Sequence, residues 1–178
     1  PQGKDLHFTF GYDILDRPVG ESLPLPDGNR NYYGDAYYYS GCVYGNSSLN
    51  RIRETYGPGA AWIENGKSVK TEYLINADSG ELSCAEFRAE DNGEDVRLIR
   101  SGLYAAGELS VARTTDEDGK VVYTFTDFEG KLLLTRRMNG TEPHDTYIVY
   151  DDRGRKRIVL PPLAADELTA TASWGCNS

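Results

Sequence analysis

The chain contains 178 residues, a length that fits one domain of ordinary size or two very small ones. Its 19 Lys and Arg stand against 28 Asp and Glu, and the resulting net charge of −9 argues against a protein that binds the nucleic-acid backbone. The apolar runs stay short of the roughly 20 residues of a membrane span, and the start at Pro1 indicates a mature product or an excised part of a larger protein.

The composition favours strands, because 13 Tyr, 19 Gly and eight Pro stand against a single Met. In chain order, we expect a strand over residues 8–12 and an extended, aromatic segment over 35–44. Prolines exclude residues 23–28 from a central strand. Residues 47–56 fit a helix or a strand, with the strand favoured, and Val69–Ile75 alternates as a strand does.

The second half continues this pattern. Residues 89–95 predict an acidic loop, and residues 96–99 and 108–114 predict two further strands. Residues 162–168 predict one short helix that begins at Pro162. No linker divides the chain, so the sequence predicts one all-β domain over residues 1–178, an antiparallel, hairpin-rich twisted sheet or meander with at most two short helices.

An internal repeat of the form D-x-x-G-[KR] is the most informative feature. Its copies pair an aspartate with a residue three positions on: Asp116 with Gly119, Asp127 with Gly130, Asp151 with Gly154, and the degenerate Asp13 with Asp16. The aspartate can accept hydrogen bonds from backbone N–H groups of a turn, and the glycine can take a positive φ and form a bulge. The cation that follows begins the outgoing strand and can pair with the aspartate. Each copy therefore predicts a β-hairpin.

The segment Tyr150-Asp151-Asp152-Arg153-Gly154-Arg155 resembles the tyrosine–aspartate (YD) repeat of the rearrangement-hotspot (Rhs) proteins. Residues 12–18 look like an earlier copy that departs at Asp16, and Thr115 and Thr126 replace the tyrosine in the other two copies. Residues 114–131, 144–155 and 159–162 together resemble the region near the front of large bacterial Rhs-type proteins.

This resemblance implies an architecture rather than a reaction. In the family, the repeats are hairpins that extend a long, curling sheet, which can wind into a hollow shell around a C-terminal toxin or effector. Such polypeptides are large and exported, and no catalytic role is assigned to their repeat residues. The chain is then expected to be a non-catalytic scaffold module without cofactor, extracellular or on the cell surface, whose partner is the remainder of the parent polypeptide.

Catalytic and metal-binding motifs are weak in this sequence. Gly66-Lys67-Ser68 lacks the first glycine of a phosphate loop, and His144-Asp145 is most simply a turn pair rather than part of a triad. Asp116 and Asp118 form a weak calcium candidate, because the hairpin already explains the aspartate and the glycine. A hydrolase that uses the carboxylates of the acidic loops is the third interpretation.

The aromatic residues provide the main alternative, an adhesin-type module that binds a glycan or a host protein. The cluster comprises Tyr32, Tyr33, Tyr37, Tyr38 and Tyr39, and Trp62 joins it as a ligand-binding candidate. In a strand, Tyr37 and Tyr39 would face one side and Tyr38 the other, which favours packing over a single binding platform. Exposed strand edges further predict a homo-oligomer or covering of the edges by the Pro-rich segments.

The three cysteines leave the redox state open. A disulfide between Cys42 and Cys84 is one alternative, but the odd count leaves a thiol over. Cys42, Cys84 and Cys176 are therefore interpreted as buried or incidental thiols, with no metal site.

Overall fold

The computed structural model describes residues 6–26, 33–35, 37–91, 96–170 and 173–174. The chain divides into two compact units, Pro1–Thr71 with Thr115–Gly119 and Glu72–Thr114 with Lys120–Ser178. In the described residues, antiparallel strands dominate beside two α-helices and one 3₁₀ turn, which confirms the predicted all-β, hairpin-rich class. The expectation of a single domain over the whole chain stays a prediction.

The first unit contains short antiparallel strands, of which β1 and β4 form a separate two-stranded sheet. Its strands are β1 (Leu6–His7), β2 (Phe10–Tyr12), β3 (Pro18–Ser22), β4 (Leu25–Pro26), β5 (Tyr39–Tyr44), β6 (Ile52–Tyr56) and the start of β7 (Val69–Ile75). The neighbours run in the order β2, β3, β5, β6 and β7, while β1 pairs with β4. Helix α1 (Ala60–Glu64) precedes β7 and was not predicted. The β7 prediction is confirmed at the same bounds, whereas residues 47–51 lie in a loop.

A glycine fixes how tightly two strands of the first unit meet. Gly41 on β5 lies opposite Tyr56 on β6. A Cβ atom added at Gly41 would lie 2.3 Å from Cζ of Tyr56, so only glycine leaves room for this ring to cover the neighbouring strand. The contact explains why a glycine stands in the middle of a strand here.

The second unit contains the longer strands. They are β8 (Ala85–Asp91), β9 (Val96–Leu103), β10 (Ser110–Thr115, whose last residue belongs to the first unit), β11 (Val121–Thr126), β12 (Leu132–Asn139), β13 (Glu142–Tyr150), β14 (Lys156–Leu160) and β15 (Ser173–Trp174). Strands β10 to β14 follow one another as neighbours, the predicted meander, and β9 pairs with both β8 and β15. A 3₁₀ turn lies at Gly80–Leu82. Helix α2 (Pro162–Ala170) confirms the predicted helix and contacts β13.

The hydrophobic core of the second unit lies between its two sheets. Phe87 on β8 meets Tyr147 on β13 edge-on, with 4.9 Å between the ring centroids. Phe125 and Leu134 are fully buried at the centre of the meander, where buried and more exposed residues alternate. Helix α2 contributes Ala165 and Leu168 to the same cluster.

Two sequence predictions are wrong in this unit. Residues 89–91 of the expected acidic loop belong to β8, because Ala85, Phe87 and Ala89 alternate as buried residues and carry the strand onward; residues 92–95 lie outside the described ones. His144 and Asp145 are not a turn pair either. Both lie inside β13, directly opposite Arg137 and Arg136.

Candidate functional site: the aspartate turns and their hydroxyl partners

Three of the predicted turns share one backbone geometry. The N–H groups of Asp13, Asp127 and Asp151 each donate to the carbonyl four residues on, at 3.0 Å. The fourth residue of each turn donates back to the aspartate carbonyl at 2.9–3.1 Å. In all three hairpins the strand register shifts at the residue before the aspartate, as a β-bulge requires. The degenerate first copy thus folds like the regular ones.

The aspartate side chains supply hydrogen bonds that the bulged turns need. Oδ1 accepts from the N–H groups two and four residues on at 2.9 and 3.1 Å for Asp13, 2.9 and 2.8 Å for Asp127, and 3.1 and 2.8 Å for Asp151. At Asp116 the same atom accepts from Asp118 N–H at 3.0 Å. Because the carboxylate satisfies these N–H groups, it stabilises the turn.

The residue at the fourth turn position has a left-handed backbone in every copy. The φ angle is 80° at Gly119, 82° at Gly130 and 72° at Gly154. Asp16 has a φ of 59° and is one of only two non-glycine residues with positive φ in the described part of the chain. Aspartate tolerates this region better than most residues but at a cost that glycine does not have.

Replacing Asp16 by Gly is therefore expected to raise the free energy of unfolding, by about 0.5–1 kcal/mol. The matched control is Gly130→Ala, since no atom lies within 4 Å of an added Cβ there and only the backbone is strained. This control should lose about 1 kcal/mol. Urea unfolding measures both. A destabilised Asp16→Gly protein would contradict the shared turn geometry.

Cations at the fifth turn position reinforce two of the aspartates. Arg17 pairs with Asp13 at 2.6 Å and Arg155 with Asp151 at 2.8 Å, as expected from the motif, whereas Lys131 pairs with Glu129. The side-chain hydrogen bond from Arg17 lowers the pKa of Asp13. Burial opposes ionisation of Asp151, but the hydrogen bonds from Arg155 outweigh it and its pKa is also lowered. Both turns therefore hold their aspartate in the charged form.

The lowered pKa values predict a loss of stability in acid. A carboxyl whose pKa is lower in the folded than in the unfolded state stabilises the fold above its unfolded pKa, and this contribution disappears as the pH falls through the folded pKa. Asp151→Asn should lower the thermal midpoint by about 3 °C or more at pH 7. The difference from the wild type should shrink towards pH 3. The control is Asp152→Asn, a substitution of the exposed neighbouring aspartate. A similar pH-dependent difference in its thermal midpoint would contradict the stabilising role of the Asp151 carboxylate.

Three hydroxyl groups connect neighbouring strands beside the turns. Tyr44 donates to the Pro18 carbonyl at 3.0 Å, and Tyr150 donates to the Leu132 carbonyl at 3.2 Å. Thr126 makes the same bond to Ser110 at 3.4 Å. In each case the donor ends a strand just before its own turn, and the acceptor begins the neighbouring strand. We call these contacts the inter-hairpin hydroxyl bonds.

The two tyrosines also contact the cation of the neighbouring turn. The Arg17 guanidinium lies 4.3 Å from the ring centre of Tyr44, and Lys131 Nζ lies 5.9 Å from that of Tyr150. Pro18 and Leu132 directly follow these cations in sequence. The tyrosine of one hairpin and the fifth and sixth turn residues of the previous hairpin therefore form a recurring contact.

One member of this series, the β5–β6 hairpin, was not predicted from the sequence. Gly45 follows Tyr44 where the motif has an aspartate, and its N–H donates to the Arg51 carbonyl at 2.9 Å. The register also shifts between Val43 and Tyr44, and Asn50 takes the left-handed conformation with a φ of 49°. The β5–β6 hairpin thus repeats the pattern with a longer turn that lacks the carboxylate. Tyr44, which precedes Gly45 as Tyr150 precedes Asp151, could have indicated this hairpin from the sequence.

The predicted ligand-binding aromatics do not form one platform. Tyr38 and Tyr39 meet edge-on with 6.0 Å between centroids, and Tyr37 lies 6.3 Å from Tyr39. Tyr38 and Tyr39 line the same groove of about 320 Å³ with Tyr56, because β5 begins only at Tyr39 and the expected alternation does not apply before it. Trp62 lies on α1, 46% exposed, and is not part of that lining.

A further member of the predicted cluster, Tyr33, is not part of this lining. Tyr33 donates its hydroxyl to the Pro24 carbonyl at 2.6 Å. Tyr32 lies outside the described residues. The aromatic side chains that line the groove of the first unit are thus Phe10, Tyr38, Tyr39 and Tyr56.

The weak calcium candidate is paired with a protein cation. Lys67 Nζ lies 3.4 Å from Asp118 Oδ1 and donates to the Glu117 carbonyl at 2.9 Å. Lys67 belonged to the rejected phosphate-loop motif, and it binds the Asp116 turn instead. Among the residues that the structure describes, no group of three or more potential metal ligands occurs.

A larger groove of about 1340 Å³ lies in the second unit. The Asp127 and Asp151 turns form part of its wall, and β8 contributes the acidic Glu86 and Glu90 and the basic Arg88. Phe128, which also lines the groove, is 92% exposed. Burial raises the pKa of Tyr104 in this groove to about 12, so its hydroxyl stays protonated at neutral pH. The described lining combines acidic and basic side chains.

A buried ion pair in the second unit was not foreseen. Arg136 on β12 and Asp145 on β13 lie directly opposite and form two hydrogen bonds, Nε–Oδ1 at 2.7 Å and Nη2–Oδ2 at 2.6 Å. Nη1 of Arg136 also donates to the carbonyls of Glu81 and Ser83 at 2.7 and 3.0 Å. The pair thereby connects the meander to the segment before β8. Arg136 and Asp145 occupy buried positions of strands that alternate between buried and more exposed residues, and this alternation could have indicated the pair from the sequence.

The described cysteines are free thiols, so the Cys42–Cys84 disulfide alternative is wrong. Cys84 is fully buried, and burial raises its pKa to about 12. Cys42 is half-buried and lies 3.3 Å from the Pro18 carbonyl. Cys176 lies outside the described residues.

Comparison with known proteins adds one finding. A family model described as a domain of unknown function (DUF6443) matches residues 1–75, which end with β7. No curated protein and no solved structure matches the chain. Over the described residues, the helices are too short or too polar to cross a membrane.

Proposed function

We propose that this chain is a non-catalytic structural module of a large YD-repeat protein, exported to the cell surface or beyond, and builds part of a β-sheet shell or scaffold. The recurrence of one turn geometry at Asp13, Asp127 and Asp151 is the observation that supports this function. Repeat proteins extend a structure by adding the same supersecondary unit, each of which contacts its neighbours.

The use of the motif side chains supports the same proposal. Each turn aspartate bonds to its own backbone, and the cations of two copies pair with it. The hydroxyls of Tyr44 and Tyr150 bond to the neighbouring strand. The groups that the motif repeats are therefore engaged in joining strands, and the remainder of the parent polypeptide is the natural partner of such a module.

The alternative of an adhesin-type module has its own observation. Tyr38 and Tyr39 line a groove, and Trp62 is 46% exposed, so aromatic surface is accessible in the first unit. Flat aromatic side chains suit sugar rings or a protein surface. The exposed part of these rings is the feature on which this alternative depends.

Two variants separate the proposals. The wild type, Tyr38→Ala and Trp62→Ala are compared on a glycan array and in thermal unfolding. The scaffold function predicts background glycan binding for the wild type and a lower unfolding midpoint for Tyr38→Ala. Specific wild-type binding that either substitution removes, with an unchanged midpoint, would favour the adhesin and contradict the scaffold.

A further inference from the structure

The outer side of β2 is a strand edge that has no neighbouring strand among the described residues. Within the described ranges, β2 is the last strand of its sheet. The Ser22 N–H donates to the Thr9 carbonyl at 2.9 Å, so the backbone groups of residue 9 face β3. The groups of Phe8 and Phe10 then face away, and their side chains are 49% and 55% exposed. Such an edge is a template for another strand.

Tyr12 on this edge occupies the position that makes the recurring contact elsewhere. Like Tyr44 and Tyr150, it ends a strand at a register shift, directly before the turn. Those two tyrosines bond to the neighbouring strand, whereas Tyr12 is 58% exposed and its hydroxyl has no acceptor among the described residues. Among the described residues, Tyr12 therefore does not meet the fifth and sixth turn residues of another hairpin.

The complementary groups lie on β14. This strand ends the order of its own sheet in the described part of the chain, and it leaves the Asp151 turn. Arg155 and Lys156 hold the fifth and sixth turn positions, which Arg17 and Pro18 hold where Tyr44 binds. The Arg155 side chain is 54% exposed. Arg155 and Lys156 could therefore contact the tyrosine of a following hairpin, as Arg17 and Pro18 contact Tyr44.

We propose that β2 of one copy pairs antiparallel with β14 of a second copy. The Tyr12 ring covers Arg155, and the Tyr12 hydroxyl donates to the Lys156 carbonyl. This inference rests on the proposed scaffold function and names a partner surface for it, since two copies would form the contact that consecutive hairpins form within the chain.

The known pairing sets the register of the new one. On β3 and β5, Gly20 lies opposite Gly41, two residues after Pro18 and three before Tyr44. Transferred to the open edges, this register places Arg157 opposite Phe10 and Val159 opposite Phe8. Val159 is 51% exposed and Phe8 49%, so the pair buries apolar surface, and Arg157 brings a cation to an aromatic ring.

Sedimentation velocity over a range of protein concentrations tests the pairing. The wild type should show a weight-average mass that rises with concentration. Tyr12→Ala should weaken association about tenfold, since it removes one hydrogen bond and one cation–π contact, and Tyr12→Phe should weaken it less. Tyr44→Phe is the matched control, because it removes the equivalent hydroxyl inside the chain; it should lower the unfolding midpoint and leave association unchanged.

Thiol cross-linking tests the register. Single substitutions Phe8→Cys and Val159→Cys are made in a background with Cys42→Ser and Cys176→Ser, and the two proteins are mixed and oxidised. A heterodimer should form, and an off-register mixture of Phe8→Cys with Lys156→Cys should form much less. A monomeric wild type at all concentrations, or association that Tyr12→Ala leaves unchanged, overturns the inference. The proposed scaffold function would survive that result, because it rests on contacts within the chain.

Discussion

Replacing Arg136 by Met should lower the free energy of unfolding by about 3–5 kcal/mol. The substitution leaves the Asp145 carboxylate buried without its cation, since Asp145 is only 8% exposed. It also removes the hydrogen bonds to the carbonyls of Glu81 and Ser83. Chemical denaturation, followed by the fluorescence of the aromatic residues, measures the loss.

Two controls identify the cause. Arg137 is exposed on the opposite face of the same strand, so Arg137→Met should change stability by no more than about 0.5 kcal/mol. The double variant Arg136→Met with Asp145→Leu should recover much of the loss, because no unpaired charge remains buried. A double variant as unstable as the single one would show that the ion pair is not the source of the effect.

Replacing Asn76 by Ala should cost about 3 kcal/mol, the second large effect that we expect. Asn76 is 2% exposed, and its side chain bonds to the Ala105 carbonyl and the Leu109 N–H, both at 2.8 Å. Both backbone groups would lose their partner, and Leu109 is itself buried. Urea unfolding measures the cost, and faster amide hydrogen exchange at Leu109 should accompany it.

The control for this variant is Asp78→Ala, two residues along the chain at an exposed position. It should change the free energy of unfolding by no more than about 0.5 kcal/mol. An Asn76→Ala protein as stable as this control would contradict the role assigned to Asn76 in holding the loop before β10.

The sequence predicts the fold well where the signal is local. The D-x-x-G spacing places turns at Asp127 and Asp151 because the required groups, a carboxylate and a positive φ, lie within five residues. The bounds of Val69–Ile75 agree for a similar reason, since alternation along one strand is visible without its neighbours.

Features that depend on a partner far along the chain were not predictable in this way. Asp145 looks like a turn residue beside His144, and only the pairing with β12 shows that it faces Arg136. The inter-hairpin hydroxyl bonds join residues 16 to 26 positions apart, so no motif window contains both ends. Helix α1 is only five residues long, and Gly57-Pro58-Gly59 directly before it favours an interruption of regular structure rather than a helix.

The functional assignment depends on context that lies beyond local geometry. The repeated turns determine how strands are joined, and the same hairpins would serve an adhesin or a shell. The proposal for the whole protein therefore joins the recurring turn geometry at Asp13, Asp127 and Asp151 to the resemblance of residues 150–155 to a YD repeat.

The most direct test of the scaffold proposal is the size and location of the native protein. An antibody raised against this chain is used on cells that produce it, and apparent mass and protease accessibility are compared before and after lysis. The proposal predicts a band far larger than 19.8 kDa that is secreted or cleaved on intact cells. A band near 19.8 kDa that stays protected until lysis would contradict it.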